Sequence, residues 1–131
     1  PKIQLSAGLR VSSPADPRTV LSGFAEPVYL HHARVLSDDR ILRFADLPEA
    51  LEADPKGEWR VHFHVPLTFA GDRGLESTAS FLDAAFFTAA VRPGRHLEIE
   101  TYSFGVMPET GQDVVDSIAS EMAWVLEHGE G

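Results

Sequence analysis

The segment Glu58-Trp59-Arg60-Val61-His62-Phe63-His64-Val65 constrains this chain most. Apolar and polar residues alternate along it, the period of a β-strand. Val61, Phe63 and Val65 fall on one side, and Arg60, His62 and His64 on the other. The apolar side is β-branched and aromatic, as suits a strand packed beneath helices. The other side carries two imidazoles two residues apart. His96-Leu97-Glu98-Ile99-Glu100-Thr101-Tyr102 repeats the pattern, with Leu97 and Ile99 facing one way and His96, Glu98 and Glu100 the other.

The rest of the chain reads around these two strands. Lys2 to Ser6 alternates as a third strand, with Ile3 and Leu5 opposed to Lys2, Gln4 and Ser6, and Ala7-Gly8-Leu9 is expected to leave it. Asp16 before Pro17 predicts a capped short helix through Val20 and Leu21. Residues 28–44 predict a hairpin, its strands at 28–35 and 41–44 about a Ser37-Asp38-Asp39-Arg40 turn. Asp46 caps a short helix from Leu47 to Ala53. Residues 77–91 and 112–127 show helical apolar spacing, so their apolar residues are expected in the core, and 103–111 is expected to be a loop.

The order is thus β, short α, hairpin, short α, β, α, β, α. Strands separated by helices imply crossovers and a parallel sheet. Each principal strand has one polar face, whereas a doubly wound sheet is apolar on both. A (β/α) barrel accommodates the alternation, because its inner face is polar near the C-terminal ends of the strands. A whole barrel takes about 250 residues. A chain of 131 residues that opens inside a strand, without an initiator methionine, is therefore expected to be part of a longer protein with a single domain.

A formal net charge of −9 argues against nucleic acid or an anionic membrane as the main partner and fits action on a small molecule. The absence of cysteine removes thiolate metal sites and is compatible with the cytoplasm. No apolar run approaches the length of a membrane span, so stable membrane insertion is not expected.

His62, His64, Glu98 and Glu100 are the leading constellation. Imidazole and carboxylate on two strands suit a divalent metal, and such a metal polarises a carbonyl or hydroxyl for proton transfer. The competing reading is a polar barrel interior in which each group is satisfied by its neighbours. His31 and His32, adjacent on an expected strand, point to opposite faces and do not chelate together easily. The 71–74 loop, Gly-Asp-Arg-Gly, can close over a ligand, with Arg73 as an anion contact or simply a solvated side chain. Tyr102, Phe104 and Trp59 can line a pocket, Trp59 more naturally as a packing residue.

In order along the chain, KIQLSAGLR, FAEPVYLHHARV, LRFADLPEAL, EWRVHFHVPL and HLEIETYSFGVMPE resemble the C-terminal part of the Ebo-type metabolite traffic proteins. These are xylose isomerase-like TIM barrels, in the superfamily of sugar phosphate isomerases and epimerases. The resemblance implies an α/β fold comprising about strands six to eight of the barrel, with residues 28–44 as a hairpin insertion. It implies a metabolite handling protein, isomerase-like if active, and cytoplasmic. It also implies a divalent metal ion (Zn, Mn, Mg or Co) at the C-terminal end of the barrel. Glu100 best matches the last-strand glutamate ligand, with Glu98 second, and His64 matches a late-strand histidine. His62 and Glu98 then serve as supporting groups or an acid–base pair. Gln4 and Ser6 stand where many relatives place a histidine or aspartate, and they are expected to touch a metabolite or sugar phosphate. The remaining ligands would lie outside this chain. The alternative implied function is a non-catalytic metabolite carrier. Open parallel edges imply self-association or pairing with a preceding N-terminal part.

Overall fold

A computed structural model describes residues 1–102 and 113–129. Its strands are β1 (Lys2–Leu5), β2 (Ala7–Val11), β3 (Ala33–Ser37), β4 (Arg40–Phe44), β5 (Glu58–Val65), β6 (Leu75–Ser77) and β7 (His96–Ile99). Its α-helices are α1 (Pro17–Leu21), α2 (Leu47–Ala53), α3 (Ala84–Ala90) and α4 (Val114–Gly129), with 3₁₀ turns at Ser22–Phe24 and Thr78–Phe81. The fold is mixed α/β with two sheets.

The chain forms two compact units. One comprises Gly8–Phe63 and Gly71–Ser77, and the other Pro1–Ala7, His64–Ala70 and Thr78–Gly131.

The first unit is built on the five-stranded sheet, in the order β4-β3-β5-β2-β6. Alternation in β5 holds residue by residue: Trp59, Val61 and Phe63 are buried, while Arg60 and His62 are exposed. Register carries that parity across the sheet. Ala33 and Val35 lie opposite Val61 and Trp59 on the buried face, and Arg34 lies opposite Arg60 on the other. Leu21 at the end of α1 and Phe24 in the turn after it, with Leu47 and Ala50 of α2, add to the buried apolar set. The hairpin turns at Asp38 and Asp39, both at positive φ (46° and 63°), the requirement of a two-residue turn matched to strand twist. Gly57 enters β5 at φ +142°, where a Cβ would strike the Leu36 backbone oxygen, so a glycine is required.

The helix starts follow from capping. The Asp16 carboxylate accepts from the Thr19 N–H and hydroxyl (3.1 and 2.6 Å), and Pro17 has no N–H to satisfy. Those bonds, the hydroxyl's foremost, hold the Asp16 carboxyl below its ordinary range. Asp46 Oδ1 accepts from the Leu47 N–H at 2.8 Å.

Four expectations change. Ala7-Gly8-Leu9 does not leave the sheet; it opens β2, whose Ala7, Leu9 and Val11 are buried in alternation. Val28-Tyr29-Leu30 is not strand. The Glu26 carboxylate takes the Val28 and Tyr29 N–H groups at 2.7 and 2.9 Å, which diverts them from a ladder, and β3 starts only at Ala33. The 77–91 helix is interrupted: Ser77 ends β6, a 3₁₀ turn follows, and Asp83 caps a fresh start at α3 through the Phe86 N–H. The sheet is also not parallel throughout, since β5 pairs antiparallel with β3.

In the second unit β1 and β7 form a parallel pair, Lys2 opposite His96 and Leu5 opposite Ile99. Phe87 of α3 meets Trp124 of α4, ring centres 6.4 Å apart. Helix α4 departs from expectation. Of the expected stripe Val114, Val115, Ile118, Met122 and Val125, the first four are exposed (Val115 at 73%) and Val125 is half-buried, and the buried residues of the helix are Ser117 and Glu121. The loop expected at 103–111, Phe104 and Gln112 lie outside the described residues.

Candidate functional site

The C-terminal ends of β1, β5 and β7 are chemically the richest part of the second unit. Two strands end there on polar residues: β1 runs into Ser6, and β7 into Glu100, Thr101 and Tyr102. β5 ends on His64 and Val65. The Glu100 N–H donates to the Leu5 carbonyl at 3.0 Å, extending the parallel pairing one residue past β7. The His64 ring lies against Tyr102, centres 4.7 Å apart at 32°.

The residue that ties these ends together is Glu121, which sequence reasoning missed. It projects from α4 with its side chain fully buried. Its Oε1 accepts from the Leu67 N–H, just past β5, at 2.9 Å, and from the Thr101 hydroxyl, just past β7, at 2.7 Å. Its Oε2 is buried with no hydrogen-bond partner among the described residues, as is the Ser6 hydroxyl. A buried carboxylate oxygen left without a donor is costly, of order 1–3 kcal/mol or more. A signal was present: Ser117 and Glu121, four apart, form a polar line beside the apolar stripe of α4.

The expected site residues distribute unevenly. His64, Glu98, Glu100, Gln4 and Ser6 all belong to the second unit, whereas His62 belongs to the first. Gln4 is exposed on β1 opposite Glu98. Glu98 is engaged by Lys2 at 2.7 Å, and this hydrogen bond and charge hold its carboxyl below the ordinary value while raising Lys2. Glu98 is thus an ionised partner of Lys2 and not a ready proton donor near neutrality. His62 is exposed with its ring edge-on to His32, centres 6.4 Å apart. Arg73 is solvated and pairs loosely with Asp72 at 3.5 Å. Trp59 is core, its Nε1–H donating to the Pro55 carbonyl at 3.2 Å.

Metal binding needs three or four convergent donors. Among the described residues no group of three or more histidine, aspartate or glutamate side chains is placed to hold a metal ion. His64 and Glu100 therefore do not make a metal site by themselves, and no chemical step is derived through one. No described helix is long and apolar enough to cross a membrane.

In the first unit, His31 and His32 face opposite ways as alternation requires: His32 is exposed and His31 is 1% exposed. The His31 ring stacks on Phe63 at 4.2 Å and 20°, its Nε2 is 3.8 Å from Glu26 Oε1, and the His31 backbone N–H donates to Asp46 Oδ1 at 2.9 Å. Burial, against the pull of Glu26 and Asp46, lowers its pKa from 6.5. The unfolded chain therefore takes up the proton first. The stabilisation is full above about pH 6.5 and is lost as pH falls below it. Urea unfolding is expected to show a greater loss of stability between pH 7.5 and 5.5 for the wild type than for His31→Phe. Equal losses would count against a buried neutral ring.

No family model matches the chain, and no curated protein and no solved structure matches it.

Proposed function

We propose that this chain is the C-terminal part of a xylose isomerase-like barrel of the metabolite traffic type, and that it holds a small polar metabolite at the C-terminal ends of β1, β5 and β7. The observation that carries the reading is Glu121. Its Oε1 is fixed by Leu67 and Thr101, so Oε2 is held in place with an acceptor to offer. A ligand hydroxyl or ammonium satisfies it with a charge-assisted hydrogen bond. The Ser6 hydroxyl offers a second polar contact and the Tyr102 ring an apolar surface. The parallel β1–β7 pair accords with a barrel segment, while the antiparallel β3–β5 pairing is a departure from a regular one.

Carriage of the metabolite is favoured over turnover, because one member of the expected acid–base pair is already engaged: Glu98 is committed to Lys2. In the isomerase-like reading, His64 and Glu100 donate to a divalent metal, with further ligands from a longer chain, and the substrate is a sugar phosphate. The open edges then meet another copy or the preceding part of the barrel, in the cytoplasm.

Metal analysis separates the two. As a carrier, the purified protein is expected to bind polyols and sugar phosphates equally well with and without chelator, and His64→Ala with Glu100→Ala leaves metal content unchanged. Stoichiometric Zn or Mn lost in that double variant would instead establish the metal-dependent reading. Calorimetric titration and elemental analysis give both readouts.

A further inference from the structure

The exposed face of the five-stranded sheet carries an arrangement that sheets avoid. Arg43 of β4 lies directly opposite Arg34 of β3, which lies directly opposite Arg60 of β5. Cross-strand partners sit about 4.5–5.5 Å apart, and like charges there are destabilising. Compensation on this face is thin. Glu58 is shared by Arg10 (2.7 Å) and Arg60 (2.9 Å), Glu76 serves Arg10 at 3.3 Å, and Arg34 Nη1 turns back to the Ala33 and Phe44 carbonyls. Arg43 is exposed and, among the described residues, has no ion-pair partner. Among the described residues of this unit, four arginines against two glutamates leave an excess of positive charge on one face of the sheet, in a chain whose net charge is −9.

This row ends at an edge. β4 is the terminal strand of its sheet, and its outer backbone groups pair with no strand among the described residues. Arginine on an edge can serve simply to repel other strands. An edge kept only for that purpose would not retain exposed Ile41 (59%) and Leu42 (37%) beside the arginine. The register of β4 sets Arg43, with Ile41, on the face of the arginine row, and Leu42 and half-buried Phe44, with Arg40 at the turn, on the opposite face.

We propose that β4 is a docking edge for an extended acidic segment of a partner protein, which adds to the sheet as a sixth strand. Backbone hydrogen bonds along Arg40–Phe44 supply the affinity, and side-chain alternation supplies the selectivity. Every second residue of the segment places a carboxylate against the arginine row, where a guanidinium binds it in bidentate fashion. The intervening residues are apolar and cover Leu42 and Phe44. A second copy of the chain fits poorly as the occupant, because its own β4 would add arginine and no carboxylate beside the row.

The test is a titration of the ¹⁵N-labelled full chain with a short capped peptide of alternating Glu and Val, followed by amide exchange of β4. Binding is expected to slow exchange at Ile41, Leu42 and Arg43. Arg43→Glu, an exposed substitution, is expected to weaken the Glu–Val peptide about tenfold, the effect of one lost charge-assisted contact. The same variant is expected to bind a Lys–Val peptide better than the wild type does. The proposal is overturned if the Glu–Val peptide does not protect β4, or if both peptides bind wild type alike. It is also overturned if Arg43→Glu changes neither affinity, or if a single-stranded oligonucleotide protects the same amides more strongly than the peptide.

Discussion

Trp59→Ala is expected to lower the free energy of unfolding by about 3–5 kcal/mol, the range for removing a fully buried large aromatic residue. Trp59 is completely buried on β5, directly opposite buried Val35 of β3. Truncation removes most of a core side chain from the centre of the sheet and leaves the Pro55 carbonyl without its indole donor. A domain has only about 5–15 kcal/mol in total, so the variant would sit near its unfolding midpoint in modest urea. Trp59→Phe keeps a ring and loses the donor, and is expected to fall well short of the alanine effect. Urea titration followed by far-ultraviolet circular dichroism measures both. A loss under about 1 kcal/mol for the alanine variant would mean that β5 is not the packed centre of its unit.

Glu121 gives the second large effect, and its two substitutions separate structure from binding. Glu121→Ala removes the acceptor for both the Leu67 N–H and the Thr101 hydroxyl. Leaving a buried donor unsatisfied costs roughly 1–3 kcal/mol, and the truncated side chain adds to it, so about 2–4 kcal/mol is expected. Glu121→Gln keeps an amide oxygen for those two donors and is expected to lose under about 1 kcal/mol. It nevertheless replaces the carboxylate oxygen that has no partner among the described residues with an NH₂ group. Affinity for a hydroxyl- or amine-bearing ligand should then fall at least about tenfold, since charged hydrogen bonds contribute about 1.5–3 kcal/mol. Stability and affinity both retained in Glu121→Gln would remove the basis for a site at these strand ends. Equal damage from Gln and Ala would make the carboxylate a structural strut only.

The elements with strict local chemistry were legible in the sequence. β5 alternates as read, because a half-buried strand leaves a period-two record whatever its partners are. α1 and α2 begin where Asp16 and Asp46 stand, since a cap acts within three residues. What depends on distant partners was not legible. Gly8 suggested a break, yet Leu9, Arg10 and Val11 continue β2 because β6 pairs with it. Val28 to Leu30 has the propensity of a strand, but the Glu26 side chain takes its amides. The exposed stripe of α4 inverts the usual rule, and periodicity reports only that a helix is two-sided, not which side is turned inward. For the site, His64 was found through its place at a strand end, and Glu121 was missed because its partners are a main-chain N–H and a hydroxyl contributed by other segments.

The β1–β7 pairing has a consequence for synthesis. Lys2 leaves the ribosome long before its partner His96. Closing so large a loop carries an entropy penalty that local hairpins escape. The β3–β4 hairpin, closed by two aspartates, can form as soon as it clears the exit tunnel, whereas β1 must wait for β7. That wait leaves Ile3 and Leu5 open to other nascent chains, and the vulnerable interval is the time between the emergence of β1 and that of β7.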